Sequence, residues 1–186
     1  MENLKNLFLF LSAFVPMYFL ILLKLLIELF SKSLDFNVLY IIFTLTMLIL
    51  IILGIIGLIL NTKYSKGKTK EIIILDKKNL TDKHFLGYFS LFVLFALQLN
   101  LKLISSYILF LTILTFIGIV YIKNSLYFIN PLLNLLGYNF YDITYKEIDS
   151  KENTKAKIFY RGELYENKKY IVNFKNKHFS FIKKAL

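Results

Sequence analysis

Four apolar runs free of Lys, Arg, Asp and Glu divide this chain: Leu7–Leu23, Phe36–Thr62, Phe85–Leu101 and Leu103–Ile122. A bilayer core about 30 Å thick is crossed by roughly 20 residues of helix rising about 1.5 Å each. The second and fourth runs meet that length. The first meets it when Lys24 snorkels and the helix continues through Ile27 to Phe30. The third is short and is expected to end where Gln98, Asn100 and Lys102 reach the headgroups. No A-x-A-like cleavage site follows the first run, so it reads as a retained span, not a signal peptide. The expectation is an α-helical integral membrane protein, a four-span helical bundle with spans at about 7–30, 38–60, 85–101 and 103–122.

Charge gives the orientation. The 23 Lys and Arg fall as one in the N-terminal stub, two in the first gap, seven in the second, one in the third and twelve from Lys123 onward. With both termini and the second gap in the cytoplasm, twenty lie inside and three outside, as basic residues that resist translocation should. A biased genome can explain a net charge of +11, but not its alternation between gaps. The chain is therefore placed in a bacterial inner membrane, multi-pass, with N- and C-termini cytoplasmic.

The second gap, 61–84, opens with a polar stretch around Gly67 and then gives Ile72-Ile73-Ile74-Leu75 between Glu71 and Asp76. So short a β-branched run suits a strand, and a strand needs a partner. The tail offers them. Tyr141, Ile143 and Tyr145 alternate with polar residues, Asp149–Asn153 reads as a turn, and Ile158–Tyr160, Tyr170–Phe174 and Phe179–Ile182 follow. The expectation is a small cytoplasmic antiparallel β domain over 138–186, a meander of three or four strands pairing with Ile72–Leu75. Some fifty residues bury little core on their own. The surplus Phe159, Tyr160, Arg161, Tyr170 and Phe174 are thus expected to be exposed as a partner-binding surface.

The chain is poor in catalytic chemistry. It has no cysteine, and His84 and His178 lack carboxylates at ligand spacing. It shows no G-x-S-x-G, H-E-x-x-H, phosphate-binding or dinucleotide loop. No catalytic, cofactor-binding or metal-binding residues are assigned, no cofactor is expected, and the chain is read as no enzyme. Lys24 and Glu28, four apart, are expected to pair as a snorkelling couple near one end of the first span. Thr44, Thr46, Gln98, Asn100, Ser105, Ser106, Thr112 and Thr115 are the other polar groups in or beside the spans. They leave a small oligomeric channel or transporter subunit as the alternative reading. Gly54 and Gly57 are three apart, so they are expected to ease local packing and do not form the four-residue dimer motif. The tail interleaves Lys155, Lys157 and Arg161 with Phe159 and Tyr160, as single-strand binders do. Strand alternation beside an anionic membrane explains the same pattern better than direct nucleic-acid binding does.

Between the last run and the tail lies Asn130-Pro131-Leu132-Leu133-Asn134-Leu135-Leu136-Gly137-Tyr138. Asn130 can cap a helix, Pro131 suits its first position, and Gly137 suits the left-handed residue that ends it. A helix at 131–136 is too short to cross a membrane. It is expected to lie at the interface, within a membrane region spanning 1–137, and to couple the bundle to the β domain. The span layout and the Asn130, Pro131, Leu132, Leu133, Gly137, Tyr138, Tyr141 pattern resemble KwaA, the membrane subunit of the Kiwa anti-phage defence system. The resemblance covers the layout of most of the chain, though the motif itself is a dozen residues. It implies a sensor or scaffold at the inner membrane that engages a cytoplasmic DNA-binding effector, KwaB, and it carries no catalytic residues. Besides the bilayer and that effector, the remaining expected partner is a further copy of the chain.

Overall fold

A computed structural model of the protein describes residues 2–31, 38–62, 69–81, 85–100, 103–124, 126, 129–148, 152–174 and 180–185. The expected loop before Val38, Gly67 with its basic neighbours, Lys102, the turn at Asp149–Lys151, Phe179 and both histidines lie outside them. The chain forms two compact units, Met1–Asn61 with Leu86–Leu132, and Thr62–Phe85 with Leu133–Leu186.

The first unit is helical, with α1 (Glu2–Ala13), α2 (Val15–Phe30), α3 (Val38–Thr62), α4 (Phe85–Gln98) and α5 (Ile104–Lys123). Among the described residues, α3 and α5 are long and apolar enough to cross a bilayer, and the bent α1–α2 pair is a third only if it acts as one span. The expected four-span bundle is thus corrected. At 14 residues, α4 rises only about 21 Å. The first apolar run is not one helix but two, set at 47°. Pro16, in the first turn of α2, has no N–H to offer the Ser12 carbonyl. The Phe14 N–H instead turns back tightly to Leu11 O (3.2 Å), and helical bonding resumes from Tyr18 N–H to Phe14 O (3.0 Å).

Lys24 keeps its expected partner and gains others. Its ammonium lies 3.9 Å from the Glu28 carboxylate as an i,i+4 ion pair. It also donates to Leu97 O (2.7 Å) and Leu99 O (2.6 Å). A cation there satisfies orphan carbonyls and opposes the negative end of α4.

Glycines set how closely these helices approach. Gly54 and Gly57 lie on the buried stripe of α3 with Tyr40, Phe43, Met47 and Asn61. A Cβ on Gly57 would stand 2.3 Å from Phe8 O, and one on Gly54 would stand 3.0 Å from Leu11 O, so α1 rests on the α3 backbone. Gly118 of α5 receives the Phe10 ring in the same way. The opposite faces, with Leu45, Ile49 and Ile52 on α3 and Ile108, Phe116 and Ile119 on α5, are more than half exposed. Such faces suit a hydrocarbon solvent.

α6 (Pro131–Leu135) runs across the boundary, with Pro131 and Leu132 in the first unit and the rest in the second, which is otherwise built of strands. Five strands follow from two separate parts of the chain: β1 (Thr69–Asn79), β2 (Tyr138–Glu147), β3 (Asn153–Arg161), β4 (Lys169–Asn173) and β5 (Ser180–Ala185). They close into a barrel in the order β1-β2-β3-β5-β4. The strand expected at Ile72–Leu75 does pair with the tail, Ile72 facing Glu147 on one side and Tyr170 on the other. The small antiparallel meander is corrected to this closed barrel. β5 inserts between β3 and β4, parallel to β3 through Ile158↔Ser180 and Phe159↔Phe181. Closure removes the open edges that a meander would expose.

Inside the barrel lie Ile72, Ile74, Tyr141, Ile143, Tyr145, Ile158, Leu164, Tyr170, Val172 and Ile182. On the other face of these strands Phe140, Phe159 and Phe181 form a second buried cluster, with ring separations of 4.6 and 5.1 Å. Burial raises the phenol pKa of both Tyr145 and Tyr170. A raised folded-state value means stability that is fully present below the ordinary phenol pKa and lost as pH rises through the folded one. In detergent, the full chain should therefore keep its β circular dichroism from neutral pH to about pH 10 and lose barrel stability above it. A stability profile that stays flat as pH rises above about 10 would contradict the burial of these phenols.

Candidate functional site

Among the described residues, no three His, Asp or Glu converge on a point that could hold a metal ion. The helical unit holds instead a cavity of about 660 Å³, within the roughly 300–1,000 Å³ typical of small-molecule sites. Its floor comes from the bend between α1 and α2 (Phe14, Met17), from α4 (Phe92) and from α5 (Phe110, Leu114, Tyr121), all buried. Phe14 stacks at a tilt on Phe92 (4.8 Å), and Phe95 lies 6.1 Å from Phe110. The mouth is formed by Leu91, Leu94, Phe116 and Val120, each more than half exposed. Among the described residues of the lining, Gln98 and Tyr121 are the side chains with polar groups, and none carries a charge.

A buried polar contact adjoins the cavity. Ser12 Oγ donates to Leu9 O (2.7 Å) and accepts from Asn130 Nδ2 (2.9 Å), with both residues almost fully buried. Leu126 and Ile129, just before Asn130, also line the cavity. The bend, the cavity wall and the residue preceding α6 are therefore one packed neighbourhood. A bond of this kind is worth about 1 kcal/mol net, and a buried partner left unsatisfied costs about 1–3 kcal/mol.

The helix expected at 131–136 is present as α6, and Gly137 adopts φ +81° at its end. Leu133 is buried, Leu132 half-buried, and Leu135 and Leu136 exposed. Tyr138 opens β2, and Tyr141 sits in the barrel core and donates to Gly162 O (3.2 Å). Of the five residues expected to form an exposed partner surface, Phe159 and Tyr170 are 1% exposed. Tyr160 and Phe174 pack partly buried against the barrel core, and Arg161 alone is exposed. The premise of surplus aromatics fails because a closed barrel has more interior than a meander.

Five-stranded Greek-key barrels can bind oligonucleotides across strands 2 and 3, using aromatic platforms beside basic residues. Here the cross-strand rows are Lys78–Asp142–Lys157 and Asp76–Thr144–Lys155. Lys155 and Lys157 are exposed while Ile158, Phe159 and Tyr160 turn inward or are buried, so on β3 the aromatic and basic groups do not share a surface. The cavity left no periodic trace in the sequence, since it arises from three helices meeting. Pro16, however, was a legible sign of the bend beside it.

A family model described as the anti-phage protein KwaA matches residues 5–182, nearly the whole chain. No curated protein and no solved structure matches. The chain belongs to the KwaA family of anti-phage proteins.

Proposed function

We propose that this KwaA-family member is a non-enzymatic membrane sensor or scaffold in anti-phage defence, and that its barrel engages a cytoplasmic DNA-binding effector of the KwaB kind. The observation that carries the reading is the split origin of the barrel. β1 precedes α4 and β2 follows α6, so both ends of the α4–α5 segment are tied into one closed sheet. A disturbance of those helices by an infecting phage reaches the barrel at two points of the chain. The segment from Asn130 to Gly137 is the connection through which it passes.

The channel alternative needs polar groups free to line a path. Thr46 bonds Ile42 O and the Tyr107 hydroxyl, Thr112 bonds Ile108 O, and Thr115 bonds Leu111 O. These bonds occupy three of the threonine hydroxyls within their own helices, Thr46 reaching across to α5 as well, which favours the sensor.

The test is retention of a co-expressed KwaB-type effector by the detergent-solubilised full chain. Charge reversal at exposed positions, Lys155→Glu with Lys157→Glu and separately Arg161→Glu, should weaken retention roughly tenfold, about 1.4 kcal/mol, while membrane insertion is unchanged. Undiminished retention by both variants would place the contact elsewhere than on β3.

A further inference from the structure

We propose that the cavity of the helical unit is an acyl-chain site, filled by one fatty-acyl chain of a membrane phospholipid whose ester end lies beside Gln98. The inference deepens the sensor reading and rests on the helical unit lying in the bilayer. α5, one of the two helices long enough to cross, supplies both floor (Phe110) and mouth (Phe116, Val120). In a membrane the mouth faces lipid tails, which are there at solvent concentration.

The lining selects the same occupant. A buried water needs two to four polar partners, and Gln98 with Tyr121 could hold one water in a cavity of about 660 Å³, not fill it. An empty space of this size would forfeit dispersion contacts on every side.

The polar end is also marked. Gln98 lines the cavity, and its neighbours Leu97 and Leu99 present their carbonyls to the Lys24 ammonium, with Glu28 adjacent. That ionised cluster belongs near the headgroup level, where the Gln98 amide can donate to an ester carbonyl. The far end of the chain would rest on Phe14 and Met17 at the bend and on Ile129, one residue from the Ser12–Asn130 bond. Filling and emptying the site therefore acts on the bend.

The experiment reconstitutes the full chain in vesicles of phosphatidylethanolamine and phosphatidylglycerol. The phosphatidylethanolamine carries a diazirine on one acyl chain, and adducts are mapped by mass spectrometry. Met17, Phe92 and Phe110, each under 9% exposed, should be labelled although bulk lipid cannot touch them. Leu94→Trp and Ile117→Trp, filling the mouth from opposite walls, should each lower that labelling roughly tenfold, about 1.4 kcal/mol. Labelling of Leu45 and Ile52 on the outer face of α3 should stay constant. Floor residues labelled at background, or indifferent to both variants, would overturn the site. Chain-to-chain adducts at the floor would overturn it in favour of a second copy. A diazirine fatty acid displacing the phospholipid would overturn its assignment to phospholipid. Absence of labelling on α3 as well would remove the membrane placement and this inference together.

Discussion

Gly57→Leu should dismantle the helical unit. A Cβ there falls 2.3 Å from Phe8 O and 2.5 Å from Phe8 C, and Gly54, one turn away, is held against Val15 and Leu11. The obstructing atoms at Gly57 include backbone, which cannot rotate aside as a side chain would. Overpacking a core usually costs about 1–3 kcal/mol, and a clash with main chain belongs at or above the upper end of that range. Against a total stability of about 5–15 kcal/mol for a domain, such a loss would release α1 from α3 and abolish phage protection. Thermal unfolding in detergent and phage plating on cells expressing the variant would measure it. Gly87→Ala, where an added Cβ meets nothing within 4 Å, should instead stabilise α4 by about 0.5–1 kcal/mol. A Gly57→Leu protein as stable as the parent would sink the close α1–α3 packing.

The second large effect is expected at Ile72. Fully buried, it pairs with both β2 and β4 and so sits where the inter-helical strand joins the tail. Ile72→Ala should cost about 2–5 kcal/mol. Ile72→Asp should cost more, because an unpaired carboxylate is driven into an apolar core. The expected result is a protein still found in the membrane fraction, with a protease-sensitive segment at Thr69–Asn79 and no phage protection. Helix insertion draws on apolar length alone, whereas the barrel needs every strand. Proteolysis of β1 no faster than in the parent would show that barrel closure does not depend on this residue.

Local patterns made much of this fold legible. Ile72–Leu75 is read as a strand needing a tail partner, and α6 with its left-handed Gly137 follows from residues at its two ends. The failures share a cause. Residues 7–30 read as one span because apolar length dominates such a reading, yet a single missing N–H at Pro16 splits it. Residues 85–101 read as a span because Lys24, 73 positions from Leu97, gives no local sign that it meets the end of α4. The parallel β3–β5 pairing, which turns a meander into a barrel, joins residues whose alternation looks the same in either arrangement. For that reason Phe159 and Tyr170 look like surplus surface aromatics from sequence and are buried in the fold. The cavity has no sequence signature beyond Pro16, since voids are set by how helices cross and not by which residues repeat.

Barrel closure also imposes a rule of parity on the route of the chain. Asn79 and Tyr141 are register partners in one sheet, and a folded sheet does not straddle a bilayer. The chain between them must therefore cross an even number of times. The rule also binds the charges. Seven basic residues lie between Thr62 and Phe85 and twelve from Lys123 onward, nineteen of the 23 in the chain, in the two stretches that supply all five strands. The positive-inside bias then acts on the barrel as a single basic body, and orientation becomes a property of a domain rather than of any one helix.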